Sequence, residues 1–124
     1  MDIGYTDDVH CTPDMVLKVL DELQEIIDGK LVLAHMGGCD LPDDVIEKLA
    51  GKPVYFDTSF VLDRYNEKCR KIIEKQGFDR ILFATDSPWS GQKQFIDLIK
   101  DYSFSNENED KIFYKNALKI LITI

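Results

Sequence analysis

The 124 residues suffice for one domain, which at this size buries about two-thirds of the surface its unfolded chain exposes. A composition of 44% hydrophobic and 31% charged residues is that of a globular protein, with no apolar run long enough for a membrane span. The formal net charge of −8 argues against a partner held through a phosphate backbone, which would need clustered Lys and Arg, so neither nucleic acid nor membrane is expected as a partner.

Residues 1–10 show neither the basic nor the apolar stretch of a signal peptide, and His10 is expected to play a structural part in a polar loop. Cys11, Cys39 and Cys69 have no metal-type spacing, which suits reduced thiols in a cytoplasmic protein. Thr12-Pro13 reads as a helix start, with Thr12 capping and Pro13 at the first helical position. Leu17, Leu20, Leu23 and Ile27 follow at helical spacing, and Gly29 is the expected stop.

Leu31-Val32-Leu33-Ala34 is a continuous apolar run of the kind buried on both faces of a parallel sheet. A short helix is expected over 42–50, with Asp43 and Asp44 in its first turn. Val54-Tyr55-Phe56 predicts a second strand, 63–76 a helix, and Ile81-Leu82-Phe83-Ala84 a third strand. Another helix is expected near 92–102. Ser105 and Asn106 can open the last one, with Ile112, Leu118 and Leu121 on or near its core face. This alternation predicts an α/β fold with three parallel strands, near 31–35, 54–57 and 81–85, joined by right-handed crossovers. Three strands leave an open face and unpaired edges that something must cover.

Sites in parallel α/β folds form at the carboxyl ends of strands. Those ends carry His35 after the first strand, Asp57, Thr58 and Ser59 after the second, and Thr85, Asp86, Ser87, Pro88 and Trp89 after the third. Each residue has a structural reading as well. His35 could be a hydrogen-bonded packing residue, Asp86 could cap a turn before Ser-Pro, and Trp89 could be packing as readily as pocket wall. Asp57 reads better as structural, and the pairs Asp7-Asp8 and Asp43-Asp44 as solvated. Gly37-Gly38 serves tight backbone geometry. The recurrence of polar, chemistry-bearing residues on one rim says more than any single one.

Ala34-His35-Met36-Gly37-Gly38, Tyr55-Phe56-Asp57-Thr58-Ser59, Ile81-Leu82-Phe83-Ala84-Thr85-Asp86-Ser87-Pro88-Trp89 and Asn116-Ala117 together resemble the second half of the amidohydrolase-related family, which includes aminocarboxymuconate semialdehyde decarboxylase-like proteins. The resemblance implies that residues 1–124 form one partial domain, strands six to eight of a (β/α)₈ TIM barrel, whose full length is about 250 residues. It implies a divalent metal, zinc for preference, held when the missing N-terminal half is present. Asp86 would then be metal ligand and proton acceptor, and His35 would orient or activate water or substrate. Ser59 and Trp89 are expected to contact a small-molecule substrate.

The family's His-x-His pair has no counterpart here, and its fifth-strand His would fall just before Met1. Catalytic zinc generally has three protein ligands. The chain is therefore expected to be the C-terminal portion of a metal-dependent hydrolase or decarboxylase, inactive alone. The missing half or a second copy would cover the open sheet. The alternatives are a non-catalytic interaction module or truncated pseudo-enzyme, and last a flavodoxin- or receiver-like domain.

Overall fold

The computed structural model describes residues 11–38 and 40–123, so the expectations for His10, Asp7-Asp8, Cys39 and the N-terminal loop lie outside the described residues. Thr12 opens the first helix: its Oγ1 accepts from the Met15 N–H at 3.3 Å, and Pro13 takes the first helical position. Helix α1 spans Pro13–Ile27 and stops on Asp28, which turns left-handed at φ 47° and donates its N–H to the Gln24 carbonyl. Gly29 follows in the same left-handed region, so the stop falls one residue before the expected glycine.

Helix α2 spans Pro42–Lys48, shorter than the expected 42–50. At 7 residues against 15 it is about 10 Å long where α1 is about 22 Å. That mismatch explains a departure from the helical pattern. Val16 and Leu20 of α1 are buried, but Leu23, expected on the core face, is exposed, as is Ile26.

Strands β1 (Val32–Leu33), β2 (Tyr55–Asp57) and β3 (Ile81–Leu82) form one parallel sheet in chain order. Leu33 pairs with Phe56, and Phe56 with Ile81, so these three share one face. All three are buried in a common core with Val45 and Leu49, with Ile72 and Ile73 of α3 (Asn66–Gln76), and with Phe95 and Ile99 of α4 (Gln92–Asp101). The opposite face carries Val32, Tyr55, Asp57 and Leu82, all half-buried. The inward-facing set is thus less apolar than the run of Leu, Val, Ile and Phe suggests, because alternation sends most of the large side chains to the helices.

Helix α3 begins three residues later than expected, since 61–65 form turns that bury Val61 and Leu62. Its Cys69 thiol is buried, which pushes its pKa up to about 12. Burial also raises Tyr102, whose hydroxyl donates to the Asn66 carbonyl at 2.7 Å.

The last helical stretch starts with α5 (Asn106–Asp110), capped by Ser105 Oγ, which accepts from the Asn108 N–H at 3.2 Å. It widens into a π turn over Lys111–Lys115 and continues as α6 (Asn116–Thr123). The π turn lets Asn116 N–H reach back to Lys111, and the Ile112 carbonyl accepts instead from Phe83 N–H beyond β3, at 3.1 Å. Asn116 Nδ2 donates to the carbonyls of Phe78 (2.6 Å) and Ile81 (2.9 Å). The buried face is therefore Ile112 and Asn116. Leu118 and Leu121, expected on or near the core face, are 50% and 69% exposed. Leu118 lies two residues from Asn116, about 200° around the helix.

Candidate functional site

All three strands run the same way, so the segments that follow them meet at one end of the sheet, with β2 between the other two. The β2 exit ties both neighbours. Thr58 is fully buried, and its Oγ1 donates to the Ala84 carbonyl at 2.7 Å while accepting the Ala84 N–H at 2.9 Å. This side chain extends the β2–β3 pairing past the end of the strands.

Asp57 works toward the other side. Its Oδ1 accepts the His35 N–H and the Ser59 N–H, each at 3.0 Å, and the Ser59 hydroxyl at 2.5 Å. His35 is buried, with Nδ1 at 2.9 Å from Ser59 Oγ and 3.0 Å from the Ser59 carbonyl. The Phe60 ring lies 5.8 Å from the imidazole, tilted by 58°, and the Arg64 guanidinium lies over the Phe60 ring, 4.1 Å from its centroid. The structure thus brings His35, Asp57 and Ser59 into one network. Phe60 and Arg64 were not read as rim residues from sequence. An aromatic four residues before an Arg, just past a strand, is the signal that could have found them.

The backbone here is unusual. Six non-glycine residues among those described have positive φ, and four of them are on this rim: His35 (54°), Met36 (53°), Phe60 (67°) and Asp86 (63°). Each strand exit has at least one. Left-handed backbone costs a non-glycine residue about 1–2 kcal/mol, and such strain gathers where a fold aims side chains for a task. Gly37 completes the β1 turn at φ 81°. A Cβ there would lie 2.9 Å from Phe56 Cε1, so the site requires glycine for both reasons.

Asp86 follows β3 and is exposed. Its carbonyl accepts the Trp89 N–H at 2.9 Å, closing a turn that contains a cis Ser87–Pro88 bond. Trp89 is 76% exposed. The described residues include no group of three His, Cys, Asp or Glu side chains placed to hold one metal ion. With Asp57 Oδ1 already holding three donors, these residues do not by themselves fit a mononuclear metal centre. No helix among the described residues is long and apolar enough to cross a membrane.

The family model described as Amidohydrolase matches residues 2–121. Among solved structures, the chain resembles 5-carboxyvanillate decarboxylase from Sphingomonas paucimobilis (19% identity, TM-score 0.63, 86% of this chain and 38% of that one). It also resembles a dihydroxybenzoic acid decarboxylase from a Polaromonas species, solved with manganese and the inhibitor 2-nitroresorcinol (23% identity, TM-score 0.57, 73% of this chain and 33% of that one). A third likeness is to a zinc-bound amidohydrolase from Burkholderia multivorans (14% identity, TM-score 0.61, 85% of this chain and 49% of that one). At these identities the likeness is one of fold: three parallel strands with their helices, part of a TIM barrel. The chain spans a third to a half of the length of these structures. Comparison with curated proteins returned no match.

Proposed function

This chain belongs to the amidohydrolase family, and on that footing we propose that it supplies the sixth to eighth strand–helix units of a metal-dependent barrel enzyme and one side of its active site. The observation that carries the reading is the shared rim. Parallel strands in chain order bring a buried, hydrogen-bonded His35 and an exposed Asp86 to the same end of one sheet, on either side of Asp57. In this reading residues 1–124 are one partial domain. Asp86 is a ligand to a divalent metal, His35 moves a proton to or from water or substrate, and Trp89 and Ser59 border the small-molecule substrate. The other ligands come from the remainder of the barrel, on the same polypeptide or another.

The flanks support the same reading. Exposed apolar side chains gather on the first and last helices: Leu23 and Ile26 on α1, Leu118, Leu121 and Ile122 on α6. These are the places where neighbouring units of a closed barrel would pack. Zinc and manganese, the ions of the Burkholderia and Polaromonas proteins, are the metals to test first. Aromatic carboxylates are the first substrates, after the decarboxylases of like fold, and hydrolysis of C–N or C–O bonds is the second reaction class. The buried thiols of Cys11 and Cys69 suit a reducing, cytoplasmic setting.

A second reading, a non-catalytic interaction module with an inherited rim, is favoured by the absence of a three-ligand group among the described residues. Supplying the first five units of an amidohydrolase barrel in trans separates the two. The enzyme reading expects bound metal in the complex, lost on Asp86→Ala, and turnover lost on His35→Ala with metal retained. Metal binding that survives Asp86→Ala would defeat it. So would metal-dependent turnover by the 124-residue chain alone, which is expected to be inert.

A further inference from the structure

The His35 ring is seated so that one tautomer fits. Nδ1 lies 3.0 Å from the Ser59 carbonyl oxygen, which accepts hydrogen bonds and never donates them, so the ring proton belongs on Nδ1. The Ser59 hydroxyl, 2.9 Å from the same nitrogen, has a single proton, and Asp57 Oδ1 draws it off at 2.5 Å. The hydroxyl therefore turns a lone pair toward Nδ1. Asp57 is itself locked by the backbone N–H groups of Ser59 and His35, both at 3.0 Å. One carboxylate oxygen thus fixes the hydroxyl's orientation and the histidine's main chain together, while Phe60 packs on the ring.

We propose that Asp57 and Ser59 are a positioning pair that holds neutral His35 as the Nδ1–H tautomer, so that Nε2 carries the lone pair used for proton transfer. The isolated side chain favours the opposite tautomer, so this state needs the protein to impose it. Ser59 acts through His35 in this role, with its hydroxyl already committed to Asp57 and the ring. The tautomer stands on the geometry alone; its use in chemistry rests on the function proposed above.

Two-bond nitrogen–proton NMR on the full chain, labelled at histidine, tests this. The sequence has only His10 and His35, and His10→Asn assigns the spectrum. At a pH where the ring is neutral, His35 should show a protonated Nδ1 and an unprotonated Nε2. Ser59→Ala should move the population toward Nε2–H, and Ser59→Thr should restore it, a rescue that a purely structural role for the side chain would not produce. A wild-type His35 found as Nε2–H overturns the proposal, and that measurement needs no variant to fold. A folded Ser59→Ala chain with an unchanged tautomer overturns it too, since the carbonyl would then suffice. Neither readout uses turnover, so failure of the proposed activity and failure of this assignment are told apart.

Discussion

Leu33, Phe56 and Ile81 lie side by side on the helix face of the sheet, almost without exposure, in ordinary extended backbone. A few residues further along the same strands, His35, Met36, Phe60 and Asp86 turn left-handed, and beside the buried Met36 the rim also buries polar groups: His35, Thr58, Ser59 and Thr85. The first region stabilises by removing apolar surface from water, about 1.5–3 kcal/mol for each large side chain. The second has costs in backbone strain and desolvated polar groups, offset by a network that leaves no buried side-chain polar atom unpartnered among the described residues. The difference is one of balance: the helix side is held by apolar burial, and the rim by hydrogen bonds that hold a strained backbone in place.

The largest expected contrast is mutational. Phe56→Ala should destabilise by about 3–5 kcal/mol in chemical denaturation, because it empties the centre of the helix-side core. A loss below about 1 kcal/mol would mean that the core sits elsewhere.

A pH scan probes the same dry region. Cys69 rises from an ordinary 9.0 to about 12, mainly through burial, with the nearby Asp63 charge adding to it. Tyr102 rises too, again mainly through burial. Between those pH values the folded chain keeps a Cys69 proton that the unfolded chain releases. Stability is therefore fully present below pH 9 and is lost as pH rises toward 12, by about 1.4 kcal/mol per unit from Cys69 alone. Cys69→Ala should make that decline shallower. A flat profile from pH 9 to 12 would show the helix side to be wetter than described.

Gly37 joins the two regions, since its turn belongs to the rim and its missing Cβ makes room for Phe56. Gly37→Ala should cost about 1–3 kcal/mol from the left-handed strain and the crowded ring. It should also perturb the His35 NMR signals, which Phe56→Leu should leave nearer their wild-type positions. The smallest effect is expected at the outer rim. Trp89→Ala should shift stability by no more than about 0.5 kcal/mol, since the side chain is largely in water. A larger loss would place Trp89 in the fold's support and not at a substrate's edge.

Much of this was legible in the residues. The Thr12-Pro13 and Ser105 caps, the strand order and the placing of His35 and Asp86 at one end follow from local rules: side-chain capping, apolar runs, and right-handed crossovers between parallel strands. Leu23 was misread because helical periodicity reports which side chains are apolar, not whether a neighbour is long enough to cover them, and Leu118 and Leu121 because the buried face of the last helix follows Ile112 and Asn116. The π turn at Lys111–Lys115 re-aimed the last helix for the same kind of reason: a bond from Phe83 to Ile112 that no local pattern announces.

Sequence alone determined the main helices and strands, their order and the placing of His35, Asp57, Thr58, Ser59 and Asp86 at the strand ends, because these depend on periodicities and caps that span a few residues. Only the tertiary structure decided what the rim residues do to one another. Asp57, Ser59 and His35 meet across more than twenty residues of chain, and Thr58 meets Ala84 across a similar gap. Such meetings are set by strand register, where a shift of one residue turns every side chain to the opposite face. They also depend on left-handed turns at His35, Met36 and Phe60 that these residue types disfavour when isolated, and that packing against the neighbouring strand makes tolerable.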